Sequence, residues 1–159
     1  MRWLAVVGLA AAVSQAAMVE SMSIEQMTAS ATAVVRVAVG EARTSRSGPL
    51  IFTDYRLRVV ETMAGDAEGI GEVSLPGGEY EGVSQAFSGV PELGVGQQYV
   101  LFLWRGPSGR IQVVGLAQGV FAVEGETATQ VRTAGGESAS LSALRDRLGK
   151  AGRKAAATP

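Results

Sequence analysis

Residues Tyr99 to Trp104 read YVLFLW, apolar at every position. A short unbroken run of β-branched and aromatic residues, bounded by glycine turns, fits a strand buried on both faces. A second run sets the character of the remaining sheet. From Ile51 to Glu61, the residues Ile51, Thr53, Tyr55, Leu57 and Val59 fall on one side, and Phe52, Asp54, Arg56, Arg58 and Val60 on the other. Period two over that length marks a strand with one face on a core. Together the two runs commit the chain to a layered β fold with a covered central strand.

The neighbouring segments extend this pattern. Thr32 to Gly40 puts Val35, Val37 and Val39 on one face and Val34, Arg36 and Ala38 on the other, and the polar stretch Glu41 to Gly48 reads as a turn before Pro49. The motif Met63-Ala64-Gly65-Asp66 ends the second strand, and Gly71 to Leu75 supplies a third with Val73 and Leu75 inward. Pro76-Gly77-Gly78 closes it, because proline cannot donate to a ladder and glycine admits positive φ. Tyr80 to Val90 has weak pattern and reads as a loop or irregular edge. Gly106-Pro107-Ser108-Gly109 is a hairpin turn into Ile111 to Val114. Residues 115–119 (GLAQG) make a sharp bend, Val120 to Val123 is a last core strand, and Thr127 to Val131 a short edge. The 21 glycines spread along the chain suit many tight turns.

Helices are expected at both ends. Ser23-Ile24-Glu25-Gln26 has the spacing of a capping box opening a helix over 22–30, with Ile24 and Met27 on one face. Ser140 is a suitable N-cap for a helix carrying Leu141, Leu144 and Leu148, and Gly149 is a natural stop. The last ten residues, 150–159, are low in complexity and read as a disordered tail. The predicted class is therefore mostly β, an OB-like barrel or a small sandwich; the count of about five core strands favours a small OB-like, partly closed β barrel with a short N-terminal helix and a C-terminal helix.

The start of the chain reads differently from the rest. Arg2, the apolar run Trp3 to Val13 and the small residues Ser14 and Ala16 occur in signal-peptide order. The run is shorter than the ~20 residues that span a bilayer. The expectation is a signal peptide over residues 1–16, a single domain over 17–149, and an exported product without a membrane anchor, periplasmic or extracellular. Exported material should have the mass of a chain beginning at Ala17 or next to it; a mass that retains Met1 would rule this out.

Composition narrows the chemistry. The chain has no cysteine and no histidine, which removes Ser-His-Asp triads, Cys-His pairs, the common zinc sites and thiol redox motifs. No metal site and no cofactor is expected. Paired carboxylates remain open, with Asp54 and Glu61, or Glu79 and Glu81, as the candidates, although neither pair shows the contrasting environments that acid–base work needs. The glycine clusters at 76–78 and 115–119 lack the Lys-Ser or Lys-Thr of a phosphate loop. Arg36, Arg56 and Arg58 form a basic row with Phe52 as its one aromatic, and a net charge of −1 argues for a solvated face over a nucleic-acid surface. The charged outward row Asp54, Arg56, Arg58 also excludes a lipid-facing outer-membrane barrel.

Several short motifs occur in a familiar order: ASATAVVRVAVG at 29–40, VVETMAG at 59–65, SLPGG at 74–78, YVLFL at 99–103 and GLAQGVFAV at 115–123. Over residues 24–124 this outline resembles a family of uncharacterised bacterial exported proteins. The resemblance implies an OB-type barrel like that of netrin modules and tissue metalloprotease inhibitors. Those inhibitors chelate zinc through an N-terminal cysteine, which this chain lacks, so only the fold analogy carries over.

The functional expectation is a non-enzymatic exported binding module whose partner is another envelope or extracellular protein. A protease inhibitor of the same architecture is the alternative, and a carboxylate-only enzyme the third reading. The partner-binding candidates are Tyr80 and Phe87. They lie in the longest unpatterned stretch of the β body, Gly77 to Pro91, where aromatics serve either as recognition surface or as a plug for the barrel end.

Overall fold

A computed structural model describes residues 21–125 and 129–156. The expected signal peptide lies outside the described residues. The fold is mostly β with two helices: α1 (Ile24–Ser30), β1 (Ala33–Ser47), β2 (Leu50–Gly65), β3 (Glu72–Pro76), β4 (Gly78–Tyr80), β5 (Val83–Gln85), β6 (Gln98–Arg105), β7 (Ile111–Val113), a 3-10 turn (Leu116–Gly119), β8 (Val120–Glu124), β9 (Gln130–Thr133), β10 (Ser138–Ser140) and α2 (Leu141–Ala156). One antiparallel sheet runs β10-β9-β8-β6-β1-β2-β3, with β7 continuing beside β6, while β4 and β5 form a separate ribbon. Among the described residues no helix is long and apolar enough to cross a membrane.

The central run behaves as its composition requires. Val100, Leu101, Phe102 and Leu103 of β6 are all fully buried. Leu101 and Leu103 face an inner core with Val35, Val37 and Val39 of β1, Tyr55 and Leu57 of β2, and Val73 and Leu75 of β3. Val100 and Phe102 face an outer core with Val34, Phe121, Met27 of α1, and Leu141, Leu144 and Leu148 of α2. The sheet is thus packed on both faces around β1 and β6, and the helices are the second cover. Each fully buried Leu or Phe contributes roughly 1.5–3 kcal/mol relative to exposure.

The helix signals hold at both starts. The Ser23 hydroxyl accepts from the Gln26 amide at 3.1 Å, and the Ser23 amide donates to the Gln26 side chain at 2.7 Å. The Ser140 hydroxyl accepts from the Ala143 amide. Two ends differ from expectation. The polar stretch Glu41 to Ser47 is strand, not turn, and the reversal sits at Gly48-Pro49. Gly40 and Glu41 bulge between the pairs Val39↔Leu57 and Ala42↔Tyr55. A bulge bends and twists the ribbon, so β1 leaves the core after Val39 and continues as an exposed ladder. The C-terminal helix likewise does not stop at Gly149 but runs through Ala156, so the expected disordered tail is corrected to helix over 150–156. Gly149 and Gly152 take no positive φ, and Lys150 and Ala151 between them favour helix enough to carry a glycine cost of about 1 kcal/mol each.

Candidate functional site

The two sequence-selected aromatics lie on and just after a hairpin fastened to the start of β2: Tyr80 ends β4, and Phe87 follows β5 by two residues. Tyr80-Glu81-Gly82-Val83 makes the hairpin's turn, with Glu81 at φ 49° and Gly82 at φ 79°. That two-residue geometry usually takes Asn-Gly or Asp-Gly. Gln85 fastens the hairpin: its carboxamide accepts from the Ile51 amide at 2.8 Å and donates to the Pro49 carbonyl at 2.8 Å. The Gly77 amide donates to the Ile51 carbonyl at 2.8 Å, and Thr53 Oγ1 donates to the Gly77 carbonyl at 2.9 Å. Gly77, at φ 105°, lies under the Phe87 ring, and an added Cβ there would meet the Gln85 carbonyl at 3.0 Å.

On this base Tyr80 is half-buried, while Val83 and Phe87 are 51% and 43% exposed. Neither Tyr80 nor Phe87 belongs to the inner or the outer core. Tyr80 and Val83 stand opposite each other across the ladder, so their side chains share a face.

A second feature was not foreseen. Asp54, expected on the outward row, is buried. Its carboxylate accepts from Ser45 Oγ and Ser74 Oγ, each at 2.5 Å, and from Arg110 Nη1 at 3.1 Å. Arg110 Nη1 also reaches Ser74 Oγ at 3.1 Å, and the guanidinium lies 4.5 Å over the Phe52 ring centroid. Period two assigned the correct side of β2 to Asp54. What it could not supply was Arg110, which arrives from the β6–β7 hairpin and covers that side.

Arg110 spans a seam. The antiparallel pairings β3–β2, β2–β1, β1–β6 and β6–β7 make β3 and β7 parallel, and the two strands lie against each other. No backbone hydrogen bond joins them among the described residues. The bonds Leu57 N–H to Gly71 O and Gly77 N–H to Ile51 O make Val73 and Leu75 the residues that bond to β2. Alternation then points the N–H and C=O of Ser74 into the seam. The bonds Gly106 N–H to Arg110 O and Val114 N–H to Phe102 O do the same for Ile111 and Val113. The outward backbone position at Pro76 has no donor to offer, a common way to blunt an edge.

Two clefts flank the turn after β7. One, about 390 Å³, lies between β3 and β7 on the side of Trp104. The other, about 910 Å³, lies between α1, the β9–β10 turn and the 3-10 turn. Gly115 and Leu116 line both. Leu116 has φ 54°, a conformation that costs a bulky residue on the order of 1–3 kcal/mol.

The remaining sequence candidates are dispersed. Glu61 pairs with Arg145 of α2 at 2.7 Å, and the Arg145 hydrogen bonds hold its carboxyl below the usual carboxylate range. It therefore sits in a different constellation from Asp54. Glu79 faces Ser84 across the hairpin ladder, and Glu81 occupies the turn. Arg36 donates to Gln98 Oε1, Arg56 stands opposite Glu72, and Arg58 is exposed. Tyr55 and Tyr99 accept at their hydroxyls from the Leu93 and Gly94 amides, closing the loop before β6, and burial pushes the Tyr55 phenol up. No family model matches the chain, and no curated protein matches it.

Proposed function

We propose that this protein is a non-enzymatic exported binding module, built on an OB-like, partly closed barrel, that docks a protein partner of the envelope or the extracellular space through its β4–β5 hairpin. The barrel reading rests on strand order. The path β3-β2-β1-β6-β7 returns β7 to the side of β3, a five-strand circuit of OB type whose last contact lacks a ladder.

The docking reading rests on one observation above the rest: Val83, on a hairpin that Gln85 and Gly77 fasten in place, and Phe87, two residues beyond that hairpin and over Gly77, are held half-exposed, outside both cores. A pre-positioned aromatic side chain loses little freedom on binding, which favours it as an anchor. Residues 77–97 carry Glu79, Glu81 and Glu92 and no Lys or Arg. The complementary partner surface is therefore basic around an apolar centre.

Tyr80→Ala and Phe87→Ala separate an anchor from a plug. The expected result is a melting point close to the parent's, since substitutions away from the core usually cost within about 0.5 kcal/mol. Capture of the partner from the envelope fraction should fall about tenfold or more, as for a hot-spot side chain. Two variants that both unfold, or that capture as well as the parent, would remove the hairpin from the docking surface.

A further inference from the structure

Beyond the bulge at Gly40 and Glu41, β1 has a strand partner on one side only. Its pairing with β6 ends at Ala38, and Val39 makes the last backbone bonds on that side, with Gln97 and Gly96. From Ala42 to Ser47 the ladder to β2 is regular, and no described strand pairs with the other edge. Ile51 fixes which backbone groups face that open edge. Its N–H donates to the Gln85 carboxamide and its C=O accepts from the Gly77 amide, so both point away from β1. Ile51 and the opposite residue Arg46 are therefore a pair without mutual hydrogen bonds. By alternation, the N–H and C=O of Ala42, Thr44 and Arg46 all point outward, and none of them is hydrogen-bonded among the described residues. Ser45 is half-buried and anchors the arm through its bond to Asp54, while the rest of residues 42–47 are exposed.

An open edge is a template for strand pairing, and proteins commonly blunt one with charge. Here the charge is positive. Arg43 and Arg46 stand on the arm itself, and Arg56 of β2 lies beside its base, where a Cβ added to Gly40 would meet the Arg56 stem at 3.8 Å. Glu41 is the one acid of residues 40–47, and it pairs with Nη2 of Arg43. The side chains of that pair are 66% and 61% exposed, so the pair is weak and leaves Arg43 open to a second carboxylate. Asp54, the nearest acid of β2, is committed to Arg110.

We propose that residues 42–47 receive an extended acidic segment of another protein as an added strand on this free edge. Main-chain bonds at Ala42, Thr44 and Arg46 give the attachment, and alternate side chains give the choice of partner. Arg43 and Arg46 are three apart on a strand and so lie on opposite faces. The complementary segment carries two acids three residues apart, one for each face, because opposite charges across a strand pair stabilise it and like charges oppose it. The same arginines turn basic strands away. Residues 77–97 carry acids and call for a basic partner, so this proposal and the hairpin proposal concern different partners and each can fail alone.

The test uses the full chain, labelled with ¹⁵N, and three blocked peptides: Thr-Val-Glu-Thr-Val-Glu-Thr, the same peptide with lysine in place of both glutamates, and the acidic peptide N-methylated at alternate backbone nitrogens, which removes the donors of its pairing edge. An affinity of about 0.1–1 mM is expected for the acidic peptide. At saturation it should slow exchange of the Ala42, Thr44 and Arg46 amide hydrogens about tenfold, because they gain partners. The amides of Arg43 and Ser45 already bond to β2 and should not change. The lysine and N-methylated peptides should protect none of the five. Arg43→Ala and Arg46→Ala should each weaken the acidic peptide several-fold, while the exchange pattern stands on the parent chain alone. The proposal is overturned if the acidic peptide at about 5 mM leaves the three amides exchanging as before, or if either control peptide protects them equally. It is also overturned if their protection without peptide rises with protein concentration, which would assign the edge to a second copy of this chain.

Discussion

Phe102→Ala is expected to lower stability by about 3–5 kcal/mol, a fall of roughly 10–15 °C in melting temperature for a domain of this size. Phe102 is fully buried at the middle of β6. Its ring centroid lies 5.5 Å from that of Phe121 at an interplanar angle of 39°, a tilted pairing that contributes beyond its area. The side chain also belongs to the layer that joins the sheet to Met27 of α1 and to Leu141, Leu144 and Leu148 of α2. The cavity left by truncation cannot collapse easily, because β6 is hydrogen-bonded to β1 on one side and to β7 and β8 on the other. Phe102→Leu keeps most of the volume and should cost less than about 1.5 kcal/mol. Thermal melts of the two variants check the claim. A Phe102→Ala protein melting within a few degrees of the parent would mean that the helices do not form a second core.

The contrast between what the sequence discloses and what it conceals follows from the range of each interaction. The doubly buried β6, the inward row Tyr55 and Leu57, the capping box at Ser23 and the leucine stripe of α2 are legible because the pattern lies within about one element and burial enforces it. Glu41 to Ser47 are misread as a turn because their strand is held by pairing with Leu50 to Tyr55, not by burial. Polar residues in an exposed ladder leave no hydrophobic period to detect. The β4–β5 hairpin is missed because Glu81 occupies a left-handed position that Asn or Asp normally fills. Gly149 misleads in the opposite sense: a glycine near a helix end signals a stop only when its φ turns positive. The two candidate surfaces differ in the same way. Tyr80 and Phe87 stand out in sequence as aromatics without a period. The seam cleft is invisible there: Trp104 and Gln112 pair across the β6–β7 hairpin, but Ser74 comes beside them only through the curl of the whole sheet. Pro76, on a strand edge and facing away from its partner, is the one local sign of where that edge lies.

Asp54→Ala should cost about 3 kcal/mol, the lower part of the range for breaking a buried ion pair. The side chains of Asp54 and Arg110 are 11% and 27% exposed, so solvent recovers part of the loss on the arginine side. Removing the carboxylate leaves two serine hydroxyls, those of Ser45 and Ser74, without their acceptor and the guanidinium of Arg110 without its counter-ion. Arg110→Met should cost less, because the carboxylate keeps both hydroxyl donors and the new side chain can still cover the Phe52 ring. Asp54→Asn should fall between them: the carboxamide oxygen still accepts, but its nitrogen cannot. The double variant separates the pair from its surroundings. A coupling of about 1–2 kcal/mol in the cycle Asp54→Ala with Arg110→Met is expected for two charges in direct contact. The effect should also be local. Because no ladder joins β3 to β7, the contacts of Arg110 with Asp54 and Ser74 are the polar link across the seam, and their loss should speed amide exchange in Glu72–Pro76 and Ile111–Val113 more than in β1 or β6. If Asp54→Ala melts within about 1 kcal/mol of the parent, or if exchange rises uniformly through the sheet, then packing of Leu75 against Val113 holds the seam and the ion pair is only its cover.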